Sequence, residues 1–337
     1  MSDSPRADIL DLLRGKRSTT LSTFTGLGAF IAPALAERGL LFHEIHHDAQ
    51  KMVRAAASAH ELYGWQSATL PTHLVVEAEA LGAAIDFRAD MPEAMWPLVA
   101  QPLYDAPAAV KIPRGEFSQR GKIPLVCDAL RELKTRVGEK IVVGAFLPGP
   151  FTLALYVVEY IALLTSVKHS PASVAHALDA FTEILIVVAN AYRNAGADFL
   201  TVHEMGGSPG FIGPHAFQTL LLPRLQRLIQ NIPAPAILSV CGRTNHAMPF
   251  LAQTGAAALN VDQTNDLKRS REILGSDMLL LGNLDPVRVI AHGTPETIRD
   301  AVQRAADAGV DAIMPGCDLY FNTPAENLRA LARAMQN

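Results

Sequence analysis

Short apolar runs alternate along this chain with amphipathic stretches that stop at glycine. LSV at 238–240, ALNV at 258–261, MLLL at 278–281 and DAIM at 311–314 are nearly all apolar, as strands covered on both faces by helices are. Between them, HAMPFLAQTG, NDLKRSREILG and TPETIRDAVQRAADAG each end in glycine, which readily takes the left-handed conformation that stops a helix. In the last of these, Thr294 stands at an N-cap, Pro295 at the first helical position and Glu296 in the first turn, where each is favoured. Repetition of strand, loop and helix specifies parallel βα units. Eight strands are predicted, at residues 18–24, 65–70, 141–147, 199–203, 236–241, 257–262, 278–282 and 311–315. The expected fold is therefore a single (β/α)8 barrel of the TIM type over residues 1–337. A short amphipathic helix precedes it, and an irregular, proline-rich insertion at 77–139 separates the second and third strands. That insertion is placed to supply part of the site's wall.

The chain's 337 residues, 49% hydrophobic and 18% charged, suffice for a large buried core. A net charge of −4 and no Lys/Arg cluster leave no field for nucleic acid or anionic lipid. The apolar stretches 152–165 and 184–191 fall short of the roughly 20 residues that span a bilayer, so no membrane partner is expected. Three scattered cysteines and an N-terminus without a signal-peptide core point to a reducing cytoplasm.

In a parallel barrel, function gathers where strands end and βα loops begin. The fourth strand ends in His203-Glu204-Met205-Gly206-Gly207-Ser208, and the fifth in Ser239-Val240-Cys241. The sixth ends in Asn260-Val261-Asp262, the seventh in Gly282-Asn283 and the eighth in Pro315-Gly316-Cys317-Asp318. Two of the three cysteines fall at such ends, with Glu204 and Asp262 offering carboxylates at the same level. Two thiolates with one nitrogen or oxygen donor suit tetrahedral zinc. The competing reading, that these cysteines are small buried hydrophobes, carries equal weight on spacing alone. Cys127 has no such context and is read as structural. The crowded histidines of FHEIHHD, His43, His46 and His47, are read as a solvated surface. Pro148 after the third strand, Gly206, Gly207 and Ser208 after the fourth, and Asn283 after the seventh are expected to shape a ligand-binding mouth.

The runs SVCGRTNHAMPFLAQTGAAALNVDQTNDLKRSREILGSDMLLLGNLDPV and MPGCDLYFNTPAENLRAL resemble the uroporphyrinogen decarboxylase superfamily, as do HELYGWQSATLPTHLVVEAEALG, AFLPGPFTLA and GGSPGFIGPHAFQTLLLPRL. Within it, the resemblance is to the branch of methylcobamide:coenzyme M and chloromethane-type corrinoid methyltransferases. That likeness implies zinc held by a His-x-Cys pair at the fifth strand and a second cysteine in a Pro-Gly-Cys turn at the eighth. Cys241 and Cys317 match the two cysteines, but Ser239 stands where the histidine is expected. Asp262 matches an acidic position that can complete the coordination. Glu204, His203 and His246 are further candidates to fill the gap, and the expected metal set is Cys241, Cys317, Asp262 and Glu204.

The activity this implies is methyl transfer between a methylcobamide and a small thiol made nucleophilic by the metal. No corrinoid-binding Asp-x-His-x-x-Gly motif occurs, so methylcobalamin or another corrinoid is expected to arrive free or on a partner protein. Two alternatives are tetrapyrrole decarboxylation and a barrel that binds corrinoid or metal without turnover. The decarboxylases of the superfamily carry arginines after the first strand that bind a polyanionic substrate. The corresponding residues 21–28, LSTFTGLG, have none.

Overall fold

The computed structural model describes residues 4–17, 21–90, 96–233 and 235–334. Eight parallel strands make one sheet: β1 (Ser22–Thr23), β2 (Ser67–Leu70), β3 (Val142–Pro148), β4 (Phe199–Glu204), β5 (Ala236–Val240), β6 (Ala258–Val261), β7 (Leu279–Leu281) and β8 (Ala312–Ile313). All eight predicted strands are present, most of them shorter than their apolar runs. Residues 18–20 of the first prediction lie outside the described residues. Backbone pairing runs from β2 through β3 to β8 and on to β1. At the seam between β1 and β2, side chains make the link. Ser67 Oγ donates to Thr25 O at 2.9 Å and accepts from Thr25 N at 3.0 Å, while Thr69 Oγ1 donates to Leu27 O. The fold is a (β/α)8 barrel with helices outside it.

Strand alternation sorts the interior by height. Going up the barrel, β4 turns Phe199, Thr201 and His203 inward, β5 turns Ile237 and Ser239, and β6 turns Ala258 and Asn260. The lower layer is apolar and the upper layer polar. The lower end is stoppered by the N-terminal helix Pro5–Leu13, whose Ile9, Leu10, Leu12 and Leu13 pack on Phe24, Val142, Phe199, Ile237 and Leu279. A barrel plugged below and polar above opens only at the C-terminal ends of its strands.

Two aspartates brace the lower rim in the same way. Asp198, just before β4, accepts from Val143 N of β3 at 3.0 Å and is paired with Lys134 and Arg6. Asp311, just before β8, accepts from Leu280 N of β7 at 2.8 Å and is paired with Arg17 and Arg271. Each follows an Ala-Gly-Ala/Val turn whose glycine has positive φ. A repeated βα unit thus ties each of these strands to its predecessor through one carboxylate.

Between β2 and β3, the helix Ile123–Val137 is the barrel's own crossover. The extra chain before it carries a small antiparallel ribbon, in which Ile85 pairs with Val99 and Asp86 with Leu98. This ribbon brings Trp96 and Leu98 to the upper rim. The helix Pro171–Asn194 is long and apolar enough to cross a membrane by length and composition, yet Leu178, Phe181, Leu185 and Val188 are fully buried against the barrel. Thr294 caps Pro295–Asp307 through a reciprocal pair with Thr297.

Within the histidine run, His46 departs from the surface reading, while His47 is exposed and His43 half-buried. The turn Phe42–His46 folds His46 fully inside, where its ring meets Phe42 and His73 edge-on at 4.9 Å. In a 3-10 turn, residues three apart share a side, which sets Phe42 against the cluster that holds Ile45, and His46 packs on the Phe42 ring. Cys127 is buried in the crossover helix, and burial pushes its thiol up to about 11.

Candidate active site

The mouth brings together the side chains of His203, Cys241 and Cys317, whose donor atoms all lie within 4.8 Å of one another. Cys241 Sγ is 3.6 Å from Cys317 Sγ and 3.7 Å from His203 Nε2. His203 is the penultimate residue of β4, Cys241 follows β5, and Cys317 sits in the turn after β8. His203 and Ser239 are partners in the β4–β5 register, with Nδ1 and Oγ 3.1 Å apart. Asn260, next in register on β6, donates from Nδ2 to the same Ser239 oxygen at 3.3 Å. The polar layer is thus a row across three strands, with the imidazole at one end and its Nε2 turned to the sulfurs.

Charge follows from this packing. Cys317 is held well below the ordinary thiol range by hydrogen bonding from Cys241 and by His203, against the opposing effect of burial. Cys241 is pushed up by sharing that proton with Cys317 and by burial. Burial pulls His203 down, but the hydrogen bond to Cys317 and the charges of Cys317, Asp318 and Glu204 outweigh it, leaving the imidazole raised. The three groups therefore share protons that a metal cation would displace.

The two carboxylates expected beside the cysteines are engaged elsewhere. Glu204 closes β4 and is fully buried, accepting from Thr152 Oγ1 at 2.6 Å, Gly207 N at 2.8 Å and Phe151 N at 3.1 Å. It pins the β3 loop to the β4 loop. Gly149 belongs to the same knot, since a Cβ there would stand 2.2 Å from Glu204 Oε2. Asp262 accepts from Thr264 N at 2.7 Å and starts a turn after β6. Neither joins the cluster of donors, and His246 is exposed on the turn Asn245–Ala247.

The expected mouth residues lie at strand ends with mixed surroundings. Pro148 pairs with His203 in register. Ser208 caps the short helix Pro209–Ile212. A Cβ at Gly206 would meet Leu155, and one at Gly207 would meet Leu221 and Phe151, so these glycines answer to packing within the protein. Asn283 donates to the carbonyls of Asp262 and Asn265 at 3.0 and 2.9 Å, which holds the loop after β6. His73, Trp96, Tyr156 and Asp318 also face the mouth, and of these only Asp318 stands at a strand end that sequence reading examines. The signal for His203 is parity: it shares an inward register with the serine that replaces the expected histidine.

The uroporphyrinogen decarboxylase family model matches residues 28–337. The methylated-thiol–coenzyme M methyltransferase of Methanosarcina mazei is 29% identical over 86% of this chain and 77% of its own length. A methylcobamide:CoM methyltransferase of Methanosarcina barkeri is 27% identical over 97% of this chain and 96% of its own. Among solved structures, a methyltransferase from Methanosarcina mazei superposes with a TM-score of 0.93, at 27% identity and 99% coverage of both chains.

Proposed function

The chain belongs to the uroporphyrinogen decarboxylase family, and we propose that it is a cobamide-dependent methyltransferase that moves a methyl group between a methylcobamide and a small thiol. The observation that carries this reading is the His203–Cys241–Cys317 cluster at the open end of the barrel, in a chain similar along its length to enzymes named for that transfer. One imidazole nitrogen and two sulfurs within 4.8 Å form a donor set suited to zinc, with a fourth position left for a ligand. When bound there, zinc lowers the pKa of a coordinated thiol and keeps it ionised near neutral pH.

The residues have distinct tasks. Binding through Nε2 requires the proton of His203 on Nδ1, where it donates to Ser239 Oγ. Asn260 holds that oxygen in place from the other side. Cys241 and Cys317 supply negative charge that favours a nucleophilic sulfur nearby. In the transfer, the acceptor sulfur takes the methyl group, the cobalt–carbon pair stays on cobalt, and the thiol proton leaves to solvent. The corrinoid arrives free or on a partner protein, and the reaction takes place in the cytoplasm. Pro148, Gly206, Gly207, Ser208 and Asn283 frame the loops on which the corrinoid rests, with Glu204 and Asp262 acting as loop anchors.

Tetrapyrrole decarboxylation has less support, because residues 21–28 offer no arginine to substrate carboxylates. The deciding experiment pairs metal analysis of the purified protein with demethylation of methylcobalamin by a panel of thiols. About one zinc per chain, with thiol-dependent loss of the methyl group, is expected. Protein that takes up no zinc and transfers no methyl group sinks the reading.

A further inference from the structure

A cavity of about 230 Å³ opens between the ribbon after β2 and the metal-binding cluster. Asp318, the neighbour of Cys317, and Met205, two residues beyond His203, both line it, so the cavity adjoins the place where a reacting sulfur sits. Leu74, Val75, Trp96, Phe146 and Tyr156 make most of the remaining wall. Resting on the methyltransferase reading, we propose that this cavity receives the body of the acceptor thiol and selects an uncharged, largely apolar one over an anionic one.

Size excludes the corrinoid. The space is small beside the roughly 300–1,000 Å³ of drug-sized ligand pockets, enough for a small thiol and too little for a corrin ring. Charge selects among thiols. Among the described residues, no lysine or arginine lines the cavity. The nearby Lys122 is paired with Glu79 at 2.7 Å and covers the Phe87 ring. Asp318 supplies no positive charge in either protonation state. An anionic substituent placed here loses its water and gains no partner. The one basic ring in the wall, His73, is buried, and its Nδ1 accepts from Val75 N. Burial takes this imidazole down to about 3, so it stays uncharged. The preferred thiol is thus an uncharged alkyl or aryl thiol.

The test uses the zinc-loaded full chain with 1-propanethiol, benzyl mercaptan, 2-mercaptoethanol and 2-mercaptoethanesulfonate. Binding is read from Trp96 fluorescence without corrinoid, with Trp96→Phe as the reference for the signal of Trp65. Transfer is read from methylcobalamin loss. Neutral thiols are expected to bind at least tenfold more tightly than the sulfonate and to show the same order in KM. Leu98→Arg, a change on the half-exposed rim, is expected to narrow that ratio at least threefold in favour of the sulfonate, with zinc content unchanged. Equal or tighter binding of the sulfonate to the wild-type chain overturns the inference. Neutral thiols that bind tightly while no thiol is methylated leave the cavity assignment standing and defeat the methyltransferase reading instead.

Discussion

His203 Nδ1 and Ser239 Oγ lie 3.1 Å apart across the β4–β5 register, so the strand neighbouring the expected histidine position carries the imidazole, and the serine at that position orients it. The imidazole expected at 239 is supplied instead from the adjacent strand, at the same height in the barrel. Its removal is a direct test of the proposed centre. His203→Ala is expected to weaken zinc binding more than Ser239→Ala, since one removes a donor and the other its orienting partner. The loss of an orienting partner amounts to about 10–100-fold in affinity. The exchanged pair His203→Ser/Ser239→His should recover most of the wild-type affinity in a chelator competition titration. Should it bind no better than His203→Ala, the two positions are not equivalent.

Cys241→Ala and Cys317→Ala should each abolish zinc binding and thiol methylation. Both side chains sit at the mouth, above the apolar layers, and each is a small group to remove. Thermal unfolding followed without metal should therefore stay within about 1 kcal/mol of wild type. A large loss of stability in the metal-free protein would instead make these cysteines packing residues.

Glu204 separates what the sequence conveys from what it hides. Its position at the end of β4 is legible, because the β-rich run Phe199-Leu200-Thr201-Val202 leads directly to it. Its role depends on three partners from two loops, Thr152, Phe151 and Gly207, whose convergence no spacing reveals. The same holds for His203, brought beside the cysteines by register, and for His46, drawn inside by the turn around it. The eight strands were legible because burial on both faces leaves a continuous apolar signature. The sideways relation between 203 and 239 was not, because it exists only after β4 and β5 have paired. Glu204→Ala is expected to strand three donors, destabilise the protein by about 2–4 kcal/mol and loosen residues 205–208 to proteolysis. Zinc content should hold near the wild-type value. Loss of zinc without loss of stability would return Glu204 to the metal site.

Asp198 gives the lower rim its own test. Its carboxylate accepts from Val143 N and from two cations while only 8% exposed. Asp198→Ala leaves Lys134 and Arg6, both part-exposed, to solvent and strands Val143 N, for a loss of about 1–3 kcal/mol. The site lies at the other end of the barrel, so zinc affinity at low temperature should be unaffected. Urea unfolding and chelator titration of the same preparation measure both.

Glu77 predicts how stability depends on pH. It lies fully buried in the helix Val76–Leu81, with one carboxyl oxygen 3.4 Å from Tyr192 OH and the other without a partner. Burial raises its pKa to about 8, while a hydrogen bond from its own backbone and one from Tyr192 offset only part of that effect. The unfolded chain releases this proton near pH 4.5, and the folded chain holds it until about 8. Across that window the folded state binds more protons than the unfolded state, so stability falls as pH rises. The contribution is intact below about 4.5 and lost once pH passes 8, with a range of roughly 4–5 kcal/mol. Glu77→Gln keeps the shape and removes the titration. The variant should match wild type at pH 4.5 to within about 1 kcal/mol and unfold several degrees higher than wild type at pH 8.5. Calorimetry at several pH values compares the two slopes. Parallel curves across the whole range would mean that the folded chain does not hold this proton and that Glu77 reaches water or a cation in solution.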